Sequence, residues 1–302
     1  MSRDPFSLEF AALRTLRAVH AEGSFSRAAE KLGLTQPTIS YTIARLREAF
    51  QDPLFVRQGA GIVPTQRCAE IVAQTAELTD RFEALIAPRT FDPISAEADI
   101  TISCNYYERI VILPHVIRML RKEARGIRIR IIPSTVYGRQ QLTRSESDIL
   151  IGPIEIEDEN YFRRGLMTEG YSCIMDPSNP LIESPLTLER YIAAPQVIVN
   201  YGGNFRSRFL VVLDEQGHSL NTVMEVPSPS DIPDLLRGTD LIATVPTRVA
   251  QNFAGVVSIA PCPVPAQIQI VMNWTARTHR SAPHSWLRER IAQTVSEIEQ
   301  TR

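Results

Sequence analysis

No run in the 302 residues approaches the ~20 apolar residues needed to span a bilayer, and Met1-Ser2-Arg3-Asp4-Pro5 has no apolar stretch of signal-peptide type. A membrane protein and a secreted one are therefore both disfavoured, and a cytoplasmic protein without membrane contact is expected. Cysteine is scarce: Cys68, Cys104, Cys173 and Cys262 form no CxxC pair, and none has a histidine at ligand spacing. This argues against a disulfide framework and a zinc site, and it suits a reducing compartment. The five histidines have no metal spacing, and GxSxG, P-loop and GxGxxG motifs are missing. The expectation is no enzyme, no metal and no cofactor. The formal net charge of −2 supplies no global basic field, although a small DNA-reading domain can carry local positive charge on an acidic body. Residues 1–64 hold eight basic against six acidic residues, a slight asymmetry in that direction. Only Lys31 and Lys122 of the 32 basic residues are lysines, and no function follows from that bias.

What is present is periodic. Phe10, Leu13, Leu16 and Val19 recur about one helical turn apart over residues 6–21. Gly23 breaks that helix. Ser24 is placed to cap a short one over residues 25–32, which Gly33 ends. Thr35 can cap the next helix, with Pro37 in its first turn, where a missing N–H matters little. Ile39, Ile43, Leu46 and Phe50 then repeat at spacings of four, three and four and read as core. Helix, Gly-containing turn, helix is the unit that sets a second helix in the DNA major groove. Residues 52–64 read as two short strands about a Gly-rich tip, a wing.

Residues 65–87 form one long helical pattern, with Ile71, Leu78 and Leu85 seven apart, Phe82 four beyond Leu78, and Val72 and Ile86 widening the stripe. Pairing with a second copy is the simplest way to cover it, and packing on its own domain is the alternative. Pro88 and Pro93 bracket a polar hinge, residues 88–97. Beyond it, strands near residues 100–104, 127–131, 148–152, 196–200, 222–226, 241–244 and 267–274 alternate with helical stretches. The last helix carries Trp286, Leu287, Ile291, Val295 and Ile298. Such βα alternation indicates a doubly wound α/β region.

The run from Gly23 to Ser40, GSFSRAAEKLGLTQPTIS, resembles the LysR-type transcriptional regulators. Leu46-Arg47, the segment Asp52 to Arg57 and Pro64-Thr65 are similar to the subgroup of nodulation and naphthalene/salicylate regulators. Ile112-Leu113-Pro114, Asp148 to Gly152, Thr239 to Pro246, Asn273-Trp274 and His284 to Arg288 extend the resemblance, less specifically, over nearly the whole chain. The resemblance implies a homodimer or homotetramer with pairing linker helices. It also implies two α/β subdomains like a periplasmic binding protein, with an effector in their cleft, and RNA polymerase as a further partner. The expected layout is a winged helix-turn-helix (residues 1–64), a linker/dimerisation helix (65–87), the hinge (88–97) and an effector-binding domain (98–302). In that domain subdomain I takes residues 98–166 and 270–302, and subdomain II residues 167–269. One departure lies in the wing, where related sequences often have another arginine near the tip and this chain has Ala60.

A recognition helix reads DNA with its N-terminal turn and one exposed face, here Thr35, Gln36, Pro37, Thr38, Ser40, Tyr41 and Arg45. Gln36 can pair bidentately with adenine, and Pro37 or the Thr38 methyl can touch a thymine methyl. Ser24, Ser26 and Arg27 are placed for phosphate contacts, and Arg57 for backbone or minor groove from the wing. Any one of these, taken alone, reads equally as an exposed polar residue.

For the effector, strand ends and helix starts supply candidates. Asn105, Ser134, Thr135 and Thr244 could donate to a carboxylate, Arg206 could pair with it, and Asn204 lies in the same loop as Arg206. Tyr106 and Tyr201 could flank a ring. The expected effector is thus a small anionic metabolite, with aromatic ones included. A helix-capping role for the hydroxyls and a core role for the tyrosines is the plainer alternative. A redox regulator acting through Cys104 on the same scaffold is the rival function.

Overall fold

The computed structural model describes residues 9–59, 61–86, 91–134, 137–202 and 205–300, with backbone only for residues 84–86. Ala60, Thr135, Asn204 and part of the expected hinge lie outside the described residues. The chain divides into two compact units, residues 1–90 and 91–302.

The first unit holds α1 (Phe10–Glu22), α2 (Phe25–Leu32), α3 (Gln36–Phe50), the hairpin β1 (Phe55–Gln58) and β2 (Gly61–Pro64), and α4 (Gln66–Ile86). Gly23 and Gly33 end α1 and α2 with φ of 58° and 65°, the left-handed geometry that glycine adopts without a Cβ penalty. The Ser24 and Thr35 hydroxyls accept from the Arg27 and Thr38 amides and start α2 and α3. Leu16, Val19, Ala28, Ile39, Ile43 and Leu46 meet in one core. The wing is pinned at its base by Asp52, whose Oδ1 accepts from the Leu54 amide and the Thr65 hydroxyl, both at 2.7 Å. Arg47 adds bonds to the Pro53 and Phe55 carbonyls.

The long helix divides its apolar stripe. Cys68 and Ile71 enter the unit's own core, and Phe82 stacks on Phe10 at 4.6 Å between ring centroids. Arg17 of α1 reaches Asp80 at 2.6 Å and Thr79 at 3.0 Å. Leu78 remains 56% exposed and Phe82 42%. Packing on the home domain therefore takes part of the stripe and leaves part uncovered.

The second unit contains two five-stranded mixed sheets. In the first, β3 (Ala98–Cys104) is flanked in parallel by β4 (Ile127–Pro133) and β5 (Ile149–Gly152). Antiparallel β12 (Ile268–Thr275) and β6 (Tyr161–Glu169) complete it. The second runs in the order β11 (Ser258–Pro261), β7 (Tyr171–Met175), β10 (Ile242–Pro246), β8 (Pro195–Val199), β9 (Asn221–Val226). The chain crosses between sheets at Gly170 and again between Pro261 and Ile268. These crossings lie a few residues from the expected boundaries at 166/167 and 269/270, because β6 and β12 stay in the first sheet for their whole length. The sheets are mixed rather than wholly parallel because both crossing strands join antiparallel. Strands β6, β7 and β11 were not expected from the sequence. A continuous core joins Ile100, Ile102 and Ile151 of the first sheet to Ile174, Val197 and Val245 of the second.

Candidate functional site

Two surfaces carry the expected chemistry, one on each unit. On the first, α3 is sharply two-sided. Ile39, Ile43 and Leu46 are fully buried, whereas Thr35, Gln36, Pro37, Thr38, Tyr41 and Arg45 are exposed and Ser40 is half-buried. Pro37, Tyr41 and Arg45 follow one another at four-residue spacing along one outward stripe, with Gln36 and Ser40 beside them. The Gln36 amide donates to Ser40 Oγ at 3.2 Å, and the Thr35 and Thr38 hydroxyls share a bond of 2.8 Å. Ser26 and Arg27 are exposed at the start of α2, Ser24 is half-buried as its cap, and Arg57 is exposed on β1. An exposed row of hydroxyl, amide and guanidinium groups held by a sealed apolar back has the chemistry suited to base edges and phosphates.

On the second unit a cleft of about 520 Å³, its open mouth included, lies between the two sheets. The first sheet contributes Asn105, Tyr107 and Glu108 at the start of α5 (Tyr106–Val111), with Ile268 and Ile270 of β12. The second contributes Tyr171, Tyr201, Phe205 and Thr244. Tyr201 and Phe205 meet edge to face at 5.5 Å. Thr244 Oγ1 already bonds the Tyr191 hydroxyl at 2.7 Å.

Glu108 is the chemically distinctive member. Asn105 and Glu108 form a capping box, in which the Asn105 amide donates to Glu108 Oε2 at 2.9 Å. The Glu108 side chain is nevertheless buried, and burial pushes its carboxyl up to about 7 against the pull of those amides and of Arg109. Behind the cleft, Tyr107 donates to Glu169 Oε2 at 2.7 Å, and Arg248 of α11 (Thr247–Asn252) pairs with the same oxygen at 2.5 Å. The Glu169 side chain is wholly buried, and Glu169 stands at the Gly170 crossing, so this triad ties α5, the end of β6 and α11 together.

Of the effector residues expected from the sequence, Asn105, Tyr201 and Thr244 line the cleft. Three do not, and the reading of them is corrected. Tyr106 opens α5 but packs half-buried against the core, because one residue turns a helix by about 100° and leaves Tyr107 facing the cleft. Ser134 is sealed beside Gly138, with its hydroxyl buried and unbonded among the described residues. Arg206 is drawn to Asp214 and lines a separate groove on the second subdomain. Thr135 and Asn204 lie outside the described residues. Glu108, Tyr107, Tyr171 and Phe205 were missed. For Glu108 a signal existed, since Asn105 followed three residues later by Glu is a capping-box spacing. Cys104 is buried, and burial, with Glu108 nearby, pushes its thiol up to about 12. It is therefore not a ready thiolate.

Among the described residues no cluster of potential metal ligands occurs, and no helix is long and apolar enough to cross a membrane.

Residues 10–69 match the family profile described as bacterial regulatory helix-turn-helix protein, lysR family, and residues 97–296 match the LysR substrate binding domain. The HTH-type transcriptional activator NahR of Pseudomonas putida is 30% identical over 269 residues, covering 87% of this chain and 90% of that protein. Nodulation protein D 1 of Sinorhizobium fredii is 28% identical over 298 residues, covering 97% of this chain and 92% of that protein. The solved full-length OxyR of Pseudomonas aeruginosa shares the fold with a TM-score of 0.73 at 20% identity, covering 95% of this chain and 99% of that one. Of these, NahR is named as a transcriptional activator. The chain belongs to the LysR family of DNA-binding transcriptional regulators, with an effector-binding domain and its sequence relatives among NahR and the nodulation D proteins.

Proposed function

We propose that this regulator reads duplex DNA through α3 and changes its hold on that DNA when a small aromatic metabolite enters the cleft of the second unit. The observation that carries the reading is the two-sided α3: a polar outward stripe from Gln36 to Arg45 over a back that is fully buried. Gln36, Pro37, Thr38, Ser40 and Tyr41 are assigned to base edges. Ser24, Ser26, Arg27, Thr35, Arg45 and Arg57 are assigned to phosphates and groove walls. The uncovered Leu78 and Phe82 of α4 support pairing with a second copy, as a homodimer or within a homotetramer. RNA polymerase is the further partner at a promoter.

The aromatic lining supports a ring-bearing effector. The lack of arginine, lysine or histidine among the described lining residues favours an uncharged ligand over the anion expected from strand-end donors. Effector binding would shift the population between assembly shapes and so alter the angle between DNA-bound dimers. The buried Cys104 lends a thiol-based switch at that residue no support.

The test is selection of bound duplexes from a random library by the full-length protein, then DNase footprinting of the selected site across a panel of small aromatic compounds. Enrichment of one motif, and a compound that alters its footprint or bend, is the expected result. Failure to enrich any sequence would end the DNA reading. A motif whose footprint ignores every compound would end the aromatic-effector reading.

A further inference from the structure

We infer that Glu108 makes the cleft a charge filter, admitting ligands that present an uncharged hydrogen-bonding group to it and rejecting carboxylates once its own carboxyl is ionised. The inference rests on the cleft being the effector site and adds what that site selects. Its geometry is specific. Glu108 stands at the junction of β3 and α5, 1% exposed, on the wall of the cleft. One oxygen is held by the Asn105 amide at 2.9 Å, and the other lies 3.8 Å from where a Cβ on Gly152 would sit. The remaining walls are aromatic and aliphatic, and among the described lining residues none is cationic. A buried carboxylate in such surroundings lacks the countercharge that would make it inexpensive.

The titratable and charged groups around Glu108 are Cys104 on β3, Tyr107 and Arg109 on its own helix, Tyr171 and Tyr201 from the second sheet, and, behind Tyr107, the Glu169–Arg248 ion pair. Burial raises the three tyrosines and Cys104 far above neutrality, so they stay uncharged. Arg109 is exposed, and its Nε donates to the Asn105 carbonyl at 3.2 Å. Glu169 and Arg248 are closed on each other at 2.5 Å. Burial holds Glu108 at about 7, so its charge changes near neutral pH. When protonated, it is a hydrogen-bond donor to a phenol oxygen, a carbonyl or a carboxylate. When ionised, it repels an anion across a cleft that has little water to screen the charge. An anion therefore has to bind together with a proton, whereas an amide faces either form.

The experiment uses the full-length protein and its Glu108→Gln variant, with benzoate and benzamide as probes of nearly the same shape. Affinities are measured by ligand-observed NMR titration at pH 6 and pH 8. Glutamine serves at this position of a capping box as glutamate does, so α5 is retained. In the wild type, benzoate affinity should fall roughly tenfold from pH 6 to pH 8, the drop in protonated fraction of an acid with a pKa of about 7. Benzamide affinity should hold level and serves as the control for folding. In the Gln variant benzoate should lose its pH dependence and bind at pH 8 as it does to the wild type at pH 6. Equal benzoate affinity at both pH values in the wild type, or a pH dependence that survives in the variant, overturns the filter and leaves the cleft as a ligand site. Binding of neither probe to either protein removes the aromatic-cleft reading and the filter with it.

Discussion

Replacing Glu108 by Gln should stabilise the protein at alkaline pH, an unusual direction for a change at a buried and hydrogen-bonded position. The carboxyl is moved from 4.5 to about 7 by burial. Between those values the folded chain holds a proton that the unfolded chain has already released. The contribution of this group to stability is therefore fully present below pH 4.5 and is lost as pH rises through 7. At pH 8 the accumulated penalty is about 3 kcal/mol, at about 1.4 kcal/mol for each tenfold shift in the proton equilibrium. Glutamine keeps the shape and the capping-box geometry but cannot ionise, so it escapes that penalty. For a unit of about 200 residues the gain corresponds to roughly 6–12 °C in Tm. The assay is calorimetric unfolding of both proteins at pH 5, 6, 7 and 8, read as the difference between them at each pH. The gap should be small at pH 5 and widen steadily to pH 8 in favour of the variant. A pH-independent gap, or a variant that is less stable by the same amount throughout, would refute the reasoning.

Three further outcomes follow from the packing. Arg248→Met strands the buried Glu169 carboxylate and should cost about 3–5 kcal/mol in urea unfolding, while Glu169→Gln/Arg248→Met should recover most of it. A double variant as unstable as the sum of the singles would show that the pair is not coupled. Burial alone would raise Asp148, but hydrogen bonds from the Thr101 amide and Arg277, with the His284 imidazole 3.6 Å away, outweigh it and hold the carboxyl at about 2. Asp148→Asn should therefore lose about 2 kcal/mol at pH 7, and the deficit should vanish as pH falls from about 4 to 2. A deficit that persists at pH 2 would assign the loss to packing. Leu78→Asp, on the uncovered stripe of α4, should lower the mass found by sedimentation equilibrium while leaving the helical circular dichroism unchanged. An unaltered mass would show that this stripe is not the self-association surface.

The DNA-reading unit was legible because each of its boundaries has a local physical cause. Gly23 and Gly33 need positive φ, Ser24 and Thr35 are caps, and Ile39, Ile43 and Leu46 fall on one side of a 3.6-residue period. The central parallel strands β5, β8 and β10 were legible as short buried apolar runs, and the edge strand β4 by its alternation of Ile127, Ile129 and Ile131 with arginines. Strand β6 was not, because its Arg163-Arg164-Gly165 stretch is exposed and carries no apolar alternation. The short β11, half exposed at a sheet edge, had as little signal. With β6 and β7 unseen, Tyr171 had no reason to converge on the cleft, and Ile268 and Ile270, on an expected strand, had no visible partner across it, although the strand-end rule found Asn105, Tyr201 and Thr244. Tyr106 against Tyr107 turned on where α5 begins, a one-residue question that periodicity does not resolve. Arg206 was misjudged because its ion pair with Asp214 joins a loop to the facing turn of α9 (Arg208–Glu215), and pairing of that kind leaves no mark on composition.

The central claim is that the exposed stripe of α3 reads base edges. Fluorescence anisotropy of the full-length protein on its selected duplex, for wild type and Gln36→Ala over a series of salt concentrations, tests it most directly. A loss of about 1–3 kcal/mol, roughly 5- to 150-fold in Kd, is expected, with relaxed base choice and an unchanged salt slope, because Gln36 neutralises no phosphate. Unchanged affinity and base preference in the variant, or a wild-type protein that ignores duplexes even at low ionic strength, would contradict it.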